Sequence, residues 1–171
     1  MKRIALLGLV FICALGSEGC DGGLSPVSSE KPGISGTITY EMGSWPSPDS
    51  LANTRLYVFA SQVYPLDSAG IFSGLVSIPP RIFLTPSFGE TLPLAVDQTP
   101  YDFDLPPADY PYVGVLQFYG NDLVISAFQV VGVYHDLNDP LTPKTVIVES
   151  TGRTRGIDIA VDFNHPPPQP F

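Results

Sequence analysis

Apolar and polar residues alternate with a period of two over several stretches of this chain, and each such stretch predicts a short half-buried strand. Ile34, Gly36, Ile38 and Tyr40 interleave with Ser35, Thr37 and Thr39. The segment Arg55–Ser61 is apolar for most of its length, which predicts a strand covered on both faces. Tyr101, Phe103 and Leu105 alternate with Asp102 and Asp104, placing the apolar side chains inward and the carboxylates toward water. A turn at Pro106-Pro107-Ala108-Asp109 then leads to a strand over Tyr110–Phe118. Another strand starts by Phe128 and carries the β-branched run Val130-Val131-Gly132-Val133. Lys144–Glu149, a turn at Ser150-Thr151-Gly152, and Gly156–Phe163 form the last expected pair. Its second member is the clearest amphipathic strand, with Ile157, Ile159, Val161 and Phe163 on one face.

Between these segments the pattern weakens. Gln62–Gln98 is the least periodic region; Arg81–Thr85 and Thr91–Val96 read as strands, the latter confined by Pro93 to an edge or a bulge. Asn121-Asp122 is placed to cap one helical turn through Ala127. Asp136–Pro143 reads as a loop and His165–Phe171 as a polyproline-type tail. Nineteen prolines and sixteen glycines exclude a helical protein, while an apolar fraction of 44% excludes disorder. Seven to nine short strands without a long helix point to an all-β fold, a single antiparallel β-sandwich over residues 34–165 followed by a Pro-rich tail at 166–171.

The N-terminal residues have a different logic. Met1-Lys2-Arg3 is basic, Ile4–Leu15 is apolar, and small residues lead to Cys20. This is a secretory signal, too short to span a bilayer core that needs about 20 apolar residues. It resembles bacterial lipoprotein signals, in which a cysteine is diacylated and becomes the first residue of the mature chain. Ser17 and Glu18 depart from the usual lipobox, which carries Leu and a small residue there. On this reading 1–19 is removed, Cys20 carries the lipid, and 20–33 is a lipidated cysteine on a flexible linker. Cleavage after Gly16 is the alternative and would leave Cys20 as an unpaired thiol. Cys13 leaves with the signal in either case, so no disulfide within the mature chain is expected.

Loss of Lys2, Arg3 and Glu18 moves the formal charge from −9 to about −10. Such acidity excludes a nucleic-acid partner and electrostatic docking on anionic lipid. The expected partners are therefore membrane lipid, through acylated Cys20, and a protein or glycan contacted by the body. No cofactor is implied.

Candidate chemistry is sparse. The chain has two histidines, His135 and His165, and lacks HExxH, paired-cysteine and Gly-x-Ser-x-Gly patterns. No catalytic residue and no metal ligand is nominated. Asp136-Leu137-Asn138-Asp139 resembles a calcium loop superficially, but Leu141 and Ile147 stand where an EF-hand needs glycine and a bidentate acid. A looser oxygen site at Asp136 and Asp139 and a solvated turn are both open. Asp102, Asp104, Asp158 and Asp162 have the spacing of a water-facing sheet surface. Trp45, near Tyr40, has two readings: an exposed platform for a sugar or protein contact, or a plug for one end of the core.

Ile34-Ser-Gly-Thr-Ile-Thr-Tyr40, then Leu56-Tyr-Val-Phe-Ala60, resembles the opening of carboxypeptidase regulatory-domain-like (transthyretin-like) sandwiches. Tyr101-Asp-Phe-Asp-Leu-Pro-Pro-Ala-Asp-Tyr110 is similar to that family's strand, turn and next strand, with Ala108 in place of the usual glycine. Val146-Ile-Val and Gly156-Ile-Asp-Ile resemble its last hairpin. The resemblance spans about 34–163 and leaves 62–98 unmatched. It implies a seven-stranded sandwich serving as a structural or binding module without catalytic residues. The function expected is a non-enzymatic lipoprotein displayed on a bacterial envelope; a glycan-binding module using Trp45 and Tyr40 is the alternative.

Overall fold

The computed structural model describes residues 30–66, 68–120, 125–136 and 138–170. The expected signal, Cys20, the linker as far as residue 29, and the Asn121-Asp122 cap lie outside the described residues. In chain order the elements are β1 (Gly33–Tyr40), α1 (Pro48–Leu51), β2 (Thr54–Ser61), α2 (Ser68–Val76), β3 (Ile82–Thr85), β4 (Gln98–Asp104), β5 (Ala108–Tyr110) and β6 (Tyr112–Tyr119). A 3₁₀ turn at Ile125–Ala127 follows, then β7 (Phe128–Val133), β8 (His135–Asp136), β9 (Asp139–Pro143), β10 (Val146–Val148), β11 (Arg153–Arg155) and β12 (Ile159–Val161).

The structure is mostly strand, as the alternation predicts. One four-stranded sheet is built around β1, with β4 antiparallel on one side and β11 and β12 parallel on the other. The second has the order β3-β2-β6-β7 and is antiparallel throughout. The pairs β5–β10 and β8–β9 complete the pairing.

The period of two decides what each strand buries. Leu56, Val58 and Ala60 of β2 join Ile34, Ile38, Tyr101, Phe103, Val113, Val115, Ile159 and Val161 in a core drawn from both four-stranded sheets. Tyr57 and Phe59, pointing the other way, join Leu66, Tyr112, Leu116, Phe118, Phe128 and Val130 in a second cluster. Leu75 of α2 and Val63 pack against that cluster. The segment 62–81 therefore covers the outer face of the second sheet. That cover explains why β2 reads as a continuous apolar run rather than an alternating one.

Four expectations change. First, the last hairpin does not form: β10 pairs with β5, and β12 pairs in parallel with β1. The open edge of β1 takes the closing strand, which satisfies its backbone donors and acceptors. Second, twelve strand segments occur among the described residues; five of them, β5, β8, β10, β11 and β12, have only two or three residues, which accounts for the excess over seven to nine. Third, Thr91–Val96 is not a strand. Ala95 takes a left-handed φ of 56°, Pro93 has no N–H to donate, and Leu92, Leu94 and Val96 pack on the core as isolated anchors. Fourth, Asp136–Pro143 is not a loop but the short hairpin β8–β9.

Between β11 and β12 the edge of β1 is interrupted but still paired. Ile157 donates its N–H to Ser35 O at 3.1 Å, and Thr37 N–H donates to the Asp158 carboxylate at 2.8 Å. Gly36 makes this possible, because a Cβ there would lie 2.1 Å from Ile157 O. Opposite Gly36 in the ladder stands Tyr101, whose hydroxyl donates to the same Ile157 carbonyl at 2.6 Å.

Candidate functional site

Strand direction gives the body two ends. β1 starts beside Asp104 and Arg153 and finishes beside Asp97 and Val161. A chain of hydrogen bonds ties its start to one end of the second sheet. Leu105 N–H donates to Pro32 O, Tyr110 Oη to Pro106 O, Gln62 Nε2 to Tyr110 Oη, and Gln62 N–H to Arg81 O. Glu30 lies at this entry end, where its carbonyl accepts from Gly152 N–H and its carboxylate pairs with Arg155 at 2.6 Å.

Arg153 organises the entry end. Its side chain is only 7% exposed, yet it pairs with the exposed carboxylates of Asp102 and Asp104 and donates to Ile34 O at 3.2 Å. Gly33 leaves the space, since a Cβ there would meet Arg153 Nη1 at 2.8 Å and Phe103 O at 2.2 Å. The guanidinium hydrogen bond, together with the charges of Arg153 and Lys31, holds the Asp104 carboxyl below its ordinary range. The two alternating aspartates of β4 are thus water-facing, as their spacing predicts, and both fix an arginine.

At the opposite end, Trp45, Tyr40 and Phe163 form an aromatic cluster. Ring centroids are 4.6 Å apart for Tyr40–Trp45 and 4.7 Å for Trp45–Phe163. The Trp45 indole N–H donates to Val96 O at 3.1 Å, which ties the Ser-Pro loop to the irregular 92–97 segment. Trp45 and Phe163 are half-buried against the core and Tyr40 is buried. The structure brings the two residues of the expected ligand platform together, but much of the Trp45 surface goes to packing. The hydroxyls of Tyr40 and Thr99 are buried without good hydrogen-bond geometry to any partner. Burial raises the Tyr40 pKa, and the Thr99 hydroxyl opposes that rise in part.

Sequence reasoning did not bring His135 and His165 together. Both line one cleft of about 350 Å³ along the seam between β7 and β12, with Thr39, Glu41 and Asp162 also on its wall. Gly132 lets the two strands approach there, since a Cβ would meet Ala160 O at 2.6 Å. His165 Nδ1 lies 2.9 Å from Asp162 Oδ2, and that carboxylate also accepts from the N–H groups of Asn164 and His165. These hydrogen bonds depress the Asp162 pKa, the His165 side chain contributing most. His135 Nδ1 instead meets Asp136 O at 2.8 Å. Among the described residues, no hydroxyl is hydrogen-bonded to either imidazole, and no group of three or more ligand-type residues is placed to hold a metal.

Asp136 and Asp139 serve the turn between β8 and β9. Asp136 accepts from Asn138 N–H and pairs with Lys144 at 3.7 Å, while Asp139 accepts from Leu141 N–H. A lysine on Asp136 competes with any cation, so the solvated-turn reading fits this geometry.

The C-terminal tail runs past the edge of β7. Pro166, Pro167 and Pro170 are half-buried, and Gln169 bonds both backbone groups of Val130. In sequence this tail carries only its composition as a signal. No family model, no curated protein and no solved structure matches this chain.

Proposed function

We propose that the chain is a lipid-anchored protein of a bacterial envelope, whose strands form one transthyretin-like sandwich acting as a non-enzymatic structural or interaction module. The observation that carries this reading is Cys20, the last cysteine of the chain, standing directly behind a basic and apolar leader. Residues 21–29 reach at most about 35 Å even when fully extended, so the body would stay close to the bilayer that holds the lipid. The chain enters the body at Glu30, at the end remote from Trp45. That placement turns the aromatic end and the seam cleft outward, where a partner can reach them.

Incorporation of labelled palmitate in the native host tests the anchor. Label is expected on the full chain and absent from Cys20→Ser; a Cys20→Ser chain that still labels refutes the assignment.

One observation favours a second reading, a glycan-binding module: Trp45 and Phe163 are half-buried rather than sealed, at the end away from Glu30. Trp45→Ala would abolish binding on a glycan array. Trp45→Phe, which keeps an aromatic plug, would retain part of it. An array on which the unaltered chain binds nothing excludes this reading.

A further inference from the structure

Among the described residues, β7 is an edge strand, paired on one side only, by β6. A bulge between Val115 and Leu116 shifts its register, so Leu116 faces Val130 and Val115 faces Gly132. On its open side Val130 meets a side chain instead of another strand. Gln169 Oε1 accepts from Val130 N–H at 2.8 Å, and Gln169 Nε2 donates to Val130 O at 2.9 Å. One amide thereby reproduces the donor–acceptor pair that a neighbouring strand would offer. The same Nε2 donates to Pro167 O at 2.9 Å, which fixes the amide relative to its own backbone.

The tail needs that glutamine. Residues 166, 167, 168 and 170 are prolines and have no N–H, so the segment cannot join the edge through its backbone donors. Pro167, Pro168 and Pro170 instead form one side of a groove that encloses about 70 Å³. The rest of its lining is Tyr64 and Tyr112, stacked with centroids 5.1 Å apart and Tyr64 half-exposed, with Val133 and with Pro140, Leu141 and Pro143 of β9. Among the described residues, no charged side chain lines this groove. An aromatic wall, an apolar counter-wall and a stiff proline segment together are the physics of polyproline recognition, in which a preformed ligand loses little entropy on docking.

We propose that this groove, together with the Val130 edge that Gln169 caps beside it, is a binding site for a proline-rich extended segment of another chain carrying a glutamine, and that residues 166–170 are its resident, self-blocking ligand. The site does not depend on whether Cys20 is acylated. Asp162 holds the exit from β12 through Asn164 and His165, so the tail leaves the body at a fixed point and can lift without disturbing β12. A segment tethered so closely has an effective concentration in the mM range. Docking in cis therefore requires an affinity better than about 1 mM for the free peptide, and a ligand in trans has to outcompete the tail.

The test uses a fluorescein-labelled peptide, Asn-His-Pro-Pro-Pro-Gln-Pro-Phe, followed by anisotropy. A chain lacking residues 166–171 is expected to bind it with Kd at or below about 0.1 mM, and the full chain at least about tenfold more weakly. A peptide with alanine in place of its glutamine is expected to bind the shortened chain at least about tenfold more weakly, for loss of two hydrogen bonds. A shortened chain that melts cooperatively yet binds neither peptide, or binds both equally, overturns the proposal. Should the shortened chain not fold, full-length Gln169→Ala takes its place. Its altered side chain is exposed, and it should bind the glutamine peptide about fivefold more tightly than the unaltered chain. Equal binding by those two proteins also overturns the proposal.

Discussion

Single atoms decide more of this fold than its alternation suggests. Gly36 lets the Ile157 backbone cross β1, and Tyr101 then donates to the carbonyl brought there. Gly36→Ala would force Cβ into Ile157 O, a backbone atom that cannot rotate away, and should cost about 3 kcal/mol in urea denaturation. Tyr101→Phe removes the hydroxyl and orphans that acceptor. A loss of about 1–2 kcal/mol is expected, and an unchanged midpoint would mean that Ile157 O finds another donor. Gln117 is the opposite case. It is 2% exposed and its Nε2 has no partner, so Gln117→Met, which keeps the volume, should leave stability equal or raise it by up to about 1 kcal/mol. Ile159, 1% exposed on the face that the period of two assigns to the core, should not tolerate Asp; loss of cooperative melting is the expected readout.

Among the elements, those with a clean period of two were legible and those defined by tertiary pairing were not. β1, β2, β4, β6 and β7 all lie where alternation or a continuous apolar run places them. α2 was hidden because its residues, Ser-Ala-Gly-Ile-Phe-Ser-Gly-Leu-Val, hold two glycines and no charge; it exists because it covers an outer sheet face, not through propensity. The seam cleft escaped notice for a related reason. His135 and His165 are thirty residues apart in sequence, and the approach of β7 to β12 at Gly132 is a contact between strands that do not pair. Trp45 and Tyr40, five residues apart in sequence, lie in ring contact. Leu66, 5% exposed within the 62–81 cover, gives a test of that cover's weight. Leu66→Ala should cost about 2–4 kcal/mol while Trp45, on the other core, keeps its fluorescence in the folded state.

For the molecule as a whole, charge is carried by exposed carboxylates, several of them tied to a fixed partner. Asp104 is held down chiefly by the Arg153 hydrogen bond, Asp136 by the Asn138 backbone N–H, and Asp162 by the His165 side chain. A carboxyl whose folded pKa lies below its unfolded value stabilises fully above the ordinary pKa of about 3.8. That contribution fades as pH falls through the depressed folded value. The melting temperature should therefore decline on acidification from pH 5 to pH 2, and Arg153→Gln should flatten part of that decline. A decline of the same size in both proteins would remove Arg153 as its cause.

The partnership of β1 with β11 and β12 also sets an order of events in time. A polypeptide made from its N terminus exposes β1 early, but the strand that closes its second side ends only at Val161. Until about a hundred and twenty further residues have followed Tyr40, that side of β1 stays open to any extended chain nearby. Closure of the first sheet is thus a late, long-range step and a slow one. Shortening the chain before Arg153 would leave an adhesive product rather than a smaller version of the same body.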